Sequence, residues 1–364
     1  MMKKWKKPLI LIVLCVCIFG LLGCNRTRII DQISIVHVFG FDQAEDGELI
    51  GTALVPNYTT SKSGDDIQFY EEKTSTSVLF APKMASQTST PVELGKIRVL
   101  LFGKSYAEAG IGEMVRRFIL NPQIGTNIQI AVSTESAKKT LNALKQEKSL
   151  TLAERIQQNM QGQYLPRMNL HVFLNRFYGE GVDAYVPMLT IGEQERVSVD
   201  GIGIFEDDHL KLQLNPEQTT VFSFIEDEQT QATYKMDLEG KERREILAVR
   251  AFKSKSNWDW NSKKERLHLG LQLHVTLTQI PDRYSVENEK DVMEMKRIVE
   301  KRLEKEMADL FALLKENGVD PLGIGNIVRS KDKSWKETSF YEKYPALPIS
   351  VNVDVQFLHS GLEG

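Results

Sequence analysis

Leu267-His268-Leu269-Gly270-Leu271-Gln272-Leu273-His274-Val275-Thr276-Leu277 carries an apolar side chain at every odd position and a polar residue or glycine at every even one. A strand points successive side chains to opposite faces, so this period of two reads as a strand with one buried and one wet face. The same alternation returns at Ile349, Val351, Val353, Val355 and Phe357, set between Ser350, Asn352, Asp354 and Gln356. Residues 246–252 supply a third strand. Between the two alternating stretches lies a charged segment, residues 287–317. Its apolar residues Val292, Met295, Val299, Leu303, Met307, Leu310 and Leu314 recur at spacings of 3, 4, 4, 4, 3 and 4. That spacing draws one stripe along a helix of about 30 residues, roughly 45 Å long. Asn317-Gly318 supplies its stop. Laying the stripe on the apolar sheet face predicts an α+β domain over residues 233–364, an antiparallel sheet with one long helix. A free amphipathic helix for a membrane is the competing reading. It fits less well, because the polar face mixes Lys, Arg and Glu instead of being basic.

Upstream, the pattern changes character. Residues 28–42 crowd Ile29, Ile30, Ile33, Ile35, Val36, Val38, Phe39 and Phe41 into a near-continuous apolar run, the signature of a strand buried on both faces. Asp46-Gly47 turns the chain into a second strand at 48–58, a hairpin signal. A third strand is read at 67–80, a helix at 81–90 and another strand at 94–102, closed by Gly103. Ser105 is expected to cap a helix starting at Tyr106. A further helix over 113–120 stops at Asn121-Pro122. A strand at 128–132 and a helix carrying Ala137, Leu141 and Leu144 complete a mixed α/β layer. Helices at 151–160 and 168–178, strands at 184–191, 197–205 and 210–214, and a helix opened by Asn215-Pro216 follow. The acidic Glu226-Asp227-Glu228 marks a boundary. The resulting division is an N-terminal α/β domain over 24–180, a small middle domain over 181–232 and the C-terminal domain over 233–364. The fold class is therefore multi-domain α+β, with mixed and antiparallel sheets packed by helices.

The first residues read differently again. Lys3, Lys4, Lys6 and Lys7 precede an apolar run over 8–23 that closes as Leu21-Leu22-Gly23-Cys24. A basic head, a short apolar core and a small residue before the cut describe a secretory signal peptide over 1–23. The run falls short of the roughly 20 residues needed to cross a bilayer. A Leu-x-Gly-Cys ending is similar to a bacterial lipobox, so Cys24 is expected to carry an S-diacylglycerol and an N-palmitoyl chain. The alternative is a single uncleaved anchor helix. Of three cysteines, Cys15 and Cys17 lie within the apolar run, leaving Cys24 alone in the mature chain. Disulfides and a thiolate zinc site are excluded on that count. The formal charge of −3 becomes about −7 once the four lysines are gone, which does not suit nucleic acid.

No catalytic constellation stands out, so the chain is not expected to be an enzyme or to need a cofactor or metal. Asp200-Gly201-Ile202-Gly203 lacks the third glycine of a dinucleotide loop, with Glu206 in its place. Gly323-Ile324-Gly325 has Val328 there. Gly103-Lys104-Ser105-Tyr106-Ala107 imitates a nucleophile elbow without a supporting His and acid. The six histidines, His37, His171, His209, His268, His274 and His359, show no tight ligand spacing. His268 and His274 share a strand face but stand about 20 Å apart. Residues 42–47 lack the alternating ligands of a calcium loop.

Four segments together resemble the Ger(x)C family, the lipoprotein C subunits of spore germinant receptors. They are Gly23-Cys24-Asn25-Arg26-Thr27-Arg28-Ile29-Ile30-Asp31 running on to Phe39-Gly40-Phe41-Asp42; Gly95-Lys96-Ile97-Arg98-Val99-Leu100-Leu101-Phe102-Gly103-Lys104 leading into Tyr106-Ala107-Glu108-Ala109-Gly110-Ile111; Val199-Asp200-Gly201-Ile202-Gly203-Ile204-Phe205; and Asp320-Pro321-Leu322-Gly323-Ile324-Gly325 with Trp335 and the closing strand. They span essentially the whole mature chain. One departure is that Asn25-Arg26 stands where the family usually has Trp-Asp. The resemblance implies a non-enzymatic, three-domain ectodomain, lipid-anchored on the outer face of the spore inner membrane. It also implies partners, an A-type and a permease-like B-type membrane-spanning subunit, in a receptor required for nutrient germination. A solute-binding lipoprotein feeding a transporter is the alternative, and a lipid-anchored hydrolase using Ser105 a distant third.

Overall fold

The computed structural model describes residues 33–57, 66–76, 79–162, 164–238 and 245–358. The lysine head, the apolar run and Cys24 lie outside these residues, as do His359 and most of the loop at 59–66.

The chain begins with β1 (Ser34–Ile35), then β2 (Val38–Gln43) and β3 (Leu49–Pro56), the expected hairpin, and β4 (Ile67–Thr74). Helix α1 (Phe80–Gln87) leads to β5 (Val92–Glu93), which pairs parallel with β1. Next come β6 (Val99–Gly103), α2 (Lys104–Ala109), α3 (Gly112–Leu120), β7 (Gln129–Ser133), α4 (Ala137–Gln146), α5 (Leu152–Gly162) and α6 (Leu170–Phe177). Strands β8 (Tyr185–Ile191), β9 (Val197–Glu206) and β10 (His209–Leu214) follow. They continue the same sheet as the N-terminal strands, whose order is β10-β9-β8-β7-β6-β2-β3-β4.

The central strands of this sheet are apolar on both faces because both faces are covered. Phe39, Phe41, Leu100, Phe102 and Ile130 meet Phe80, Met114, Phe118 and Phe173 of α1, α3 and α6. Val38, Val99, Leu101 and Ala131 meet Leu141, Leu144, Leu152 and Ile156 of α4 and α5. A parallel centre, β2-β6-β7-β8, is what helices on both faces produce.

Helix α7 (Pro216–Glu226) is opened by a capping box, with Asn215 and Gln218 each bonding the other's backbone N–H. Residues 219–225 are all buried, since the helix is enclosed between the large sheet and the C-terminal unit. Its buried hydroxyls bond locally: Thr220 Oγ1 donates to Pro216 O at 2.9 Å and Ser223 Oγ to Thr220 O at 2.8 Å. Ser254 and Ser256 of the next sheet donate to the carbonyls of Phe224 and Ile225, the latter at 2.7 Å, and so close its C-terminal end.

The C-terminal unit has strands β11 (Thr233–Leu238), β12 (Glu245–Asn261), β13 (Arg266–Gln279) and β14 in that order, with helices α8 (Glu289–Glu316), α9 (Ile324–Lys331) and α10 (Glu337–Lys343), and β14 (Ile349–Phe357) closing the chain. The expected stripe is the buried side of α8, with Met295, Val299, Leu303, Met307, Leu310 and Leu314 inside. Burying each is worth about 1.5–3 kcal/mol. The sheet is antiparallel through β13, but β14 pairs parallel with it, Leu267 opposite Ile349. The length of α8 explains this: 28 residues rise about 42 Å, close to the length of 14-residue β13. The helix returns the chain to the end where β13 began. The fold is thus α+β, with mixed and antiparallel sheets packed by helices.

Candidate functional site

A buried polar cluster joins the two sheets. The loop between α6 and β8 contributes Gly181 and Asp183, the turn between α8 and α9 contributes Asp320 and Gly323, and the first turn of α9 contributes Gly325. Asp183 N–H donates to Asp320 O at 2.9 Å, and Asp320 N–H donates to Asp183 Oδ2 at 2.6 Å. Asp320 is fully buried. Its Oδ1 accepts from Ile324 N–H at 2.8 Å, its Oδ2 from Gly325 N–H at 2.7 Å and from the Tyr341 hydroxyl at 3.2 Å. Gly323, at φ +66°, turns the chain into α9 in a left-handed conformation that favours glycine. Gly325 must lack a Cβ because Gly181 Cα would lie 2.9 Å from it.

Other groups brace this joint. Asn326 N–H donates to Gly181 O at 2.8 Å, and Gly181 N–H to Glu337 Oε1 at 3.0 Å. Arg176 of α6 donates to Pro321 O at 2.7 Å, pairs with Glu226 at the end of α7, and lies 4.7 Å over the Tyr185 ring. Burial pushes the Asp183 carboxyl up to about 6 and that of Asp320 to about 8, against the pull of the amides bonded to them. A recess of about 280 Å³ beside the joint is lined by Asp183, Glu206, Asp207 and Glu337, with Arg176 already paired. The arrangement fixes one unit against the other and buries between them two carboxyls whose proton affinity burial raises.

The same use of a carboxylate recurs in the first resemblance segment. Asp42 at the end of β2 accepts from Ala137 N–H at 2.7 Å and Lys138 N–H at 2.8 Å, the opening amides of α4. A Cβ on Gly103 would overlap Asp42 Oδ1, and one on Gly51 would overlap the Phe80 ring. In the third segment Gly201 has φ +83° and its Cα faces Leu214 O too closely for a side chain. These residues are committed to architecture. Asp200-Gly201-Ile202-Gly203 runs along β9, which turns into β10 and not into a helix.

Other sequence expectations resolve individually. Ser105 does not cap its helix: α2 starts at Lys104, Gly103 is the capping residue, and no side chain bonds there. Ser105 is exposed in the first turn. His209 faces Asp208 at 2.8 Å, His268 faces Ser350 at 2.9 Å, and His171 lies 3.4 Å from Asn175. None of these partners is Ser105. No group of three His, Cys, Asp or Glu that could hold a metal ion occurs among the described residues. No helix among them is long and apolar enough to cross a membrane. Cys24 lies outside the described residues. Sequence reasoning did not single out Asp183 or Arg176 and read Glu226 only as part of an acidic boundary, because their partners lie 50 to 145 residues away.

Two family models cover almost all of the chain. One, described as the spore germination protein N-terminal domain, matches residues 26–191. The other, described as spore germination B3/GerAC like, C-terminal, matches residues 200–361. The chain is 27% identical over 366 residues to the spore germination protein GerQC of Bacillus cereus, covering 99% of each. It also shares a fold with the crystal structure of the GerBC protein, at a TM-score of 0.58 and 14% identity, covering 91% of this chain and 100% of that one.

Proposed function

The chain belongs to the GerAC-like family of spore germination proteins, and from that membership we propose that it is the lipid-anchored accessory subunit of a nutrient germinant receptor. The observation that carries this reading is coverage: the two family models run from residue 26 to 361 with only a short gap between them. On this reading Cys24 bears the lipid, and the described body stands on the outer face of the spore inner membrane. It assembles there with an A-type and a B-type membrane-spanning subunit and has no enzymatic step of its own. The way the characteristic residues are used supports a scaffold. Asp42, Gly103, Gly201 and Asp320 are spent on capping and close packing, so they maintain the shape of a surface. A solute-binding lipoprotein would have two similar lobes around a cleft, whereas this chain pairs an eight-stranded sheet with a four-stranded one.

The test is deletion with complementation. Spores lacking the chain should fail to germinate on at least one nutrient, and the wild-type gene should restore the response. Normal germination of the deletion spores on every nutrient would overturn the reading. Calorimetric titration of the ectodomain with amino acids and sugars gives a second check, and the scaffold reading expects no tight, saturable heat.

A further inference from the structure

The outer face of the C-terminal sheet carries a row of charge that the fold itself does not use. Along β12, Ser254 and Ser256 turn inward to the carbonyls that end α7, so Lys253 and Lys255, alternating with them, turn outward. Arg250, between the buried Val249 and Ala251, turns outward as well. The pairing of β12 with β13 shifts between Ala251 and Lys253, which leaves Phe252 without a cross-strand partner. That bulge leaves its ring 42% exposed among the three cations. The row from Arg250 to Lys255 is roughly 15 Å long.

Nothing within the chain neutralises these cations. Their neighbours across β13 are Thr276, His274 and Gln272, none of them acidic. Asp354, opposite Gln272 on β14, is taken by Lys296 at 2.9 Å. Glu228 accepts from Ser254 N–H through its carbonyl, at 3.0 Å, and not through its carboxylate. Arg250 reaches only the uncharged Gln231, at 3.4 Å. Among the described residues no carboxylate stands within ion-pair distance of Arg250, Lys253 or Lys255. The chain as a whole is acidic, at −3, so three adjacent unpaired cations depart from its general surface. An anionic bilayer would also suit such a row. However, the face looks away from α7 and the large sheet, beside which the chain starts at Ser34. Complementary charge around a partly exposed aromatic ring is the pattern of a protein interface. We propose that this face docks an acidic segment of a partner protein. Its carboxylates pair with Arg250, Lys253 and Lys255, and one of its apolar side chains covers Phe252.

The test treats the full-length chain, in a cell lysate that retains its membranes, with a carbodiimide. This reagent joins lysines to carboxylates in direct contact, and the linked peptides are identified by mass spectrometry. The expected result is an amide from Lys253 or Lys255 to an aspartate or glutamate of one other protein. Lys253→Glu combined with Lys255→Glu should lower co-purification of that protein by about tenfold or more. Lys253→Arg with Lys255→Arg keeps the charge and should keep the partner. Both pairs should leave the thermal midpoint unchanged, because neither lysine is buried or bonded within the fold. Links to carboxylates of this chain alone, or no links, would overturn the proposal. So would co-purification that ignores the charge reversal. Vesicles of phosphatidylglycerol supply the last arm. If they bind the wild-type chain and not the Glu variant, and no protein is linked, the row meets lipid and the proposal falls.

Discussion

Asp42 and Asp320 each give both carboxylate oxygens to the opening amides of a helix. For Asp42 the helix begins 95 residues later, so nothing local in the sequence announces the bond. For Asp320 it begins four residues later, and an acidic residue just before Leu322-Gly323-Ile324 is a signal that could have been read. Asp42→Ala strands two donors, one of them fully buried, and should cost about 2–4 kcal/mol in urea unfolding. An unchanged midpoint would contradict the capping role. The joint makes a pH prediction. An unfolded aspartate loses its proton near pH 4, but the native Asp183 and Asp320 lose theirs near 6 and 8. Between those values the native state holds more protons, so stability falls as pH rises from about 4 to about 8. The steepest loss is about 1.4 kcal/mol per pH unit for each carboxyl. Asp320→Asn should flatten the upper part of that fall, between pH 6 and 8. Wild-type stability that stays level or rises over this range would show that the carboxyls are ionised throughout.

The long helix and the alternating strands were legible because each displays its period without interruption. The stripe read over 287–317 is the buried side of α8, and residues 267–277 lie within β13. The direction of β14 was not legible, since alternation at Ile349 to Phe357 is the same for parallel and antiparallel neighbours. Nor was β11, whose buried side rests on only Tyr234 and Met236. At the free edge of β14, Glu304 and Glu300 of α8 accept from Val353 N–H at 3.1 Å and Val355 N–H at 3.0 Å. A charged side chain on these two edge donors blocks pairing with another strand there. Replacing both glutamates by alanine should cost about 1–2 kcal/mol and produce concentration-dependent association by sedimentation velocity. A variant that stays monomeric at all concentrations would show that the edge is protected by other means.

At the level of the molecule, α7 and the Asp183–Asp320 joint turn two sheets of different design into one body. Apolar contacts run without a break from Phe39 through Phe222 and Phe224 to α8. A body held this firmly is what the proposed accessory role requires, since on that reading its work lies in position and contact. The proposed anchor rests on the lysines, the short apolar run and Gly23-Cys24 of the first residues, a pattern of composition that no packing argument could supply. The most direct test of the central claim is therefore a single substitution, Cys24→Ala, in the sporulating cell. Membrane fractionation and nutrient germination are then read on the same spores. The account predicts that the variant chain leaves the membrane fraction and that the nutrient response falls with it. A variant that stays in the membrane and germinates normally would contradict the account.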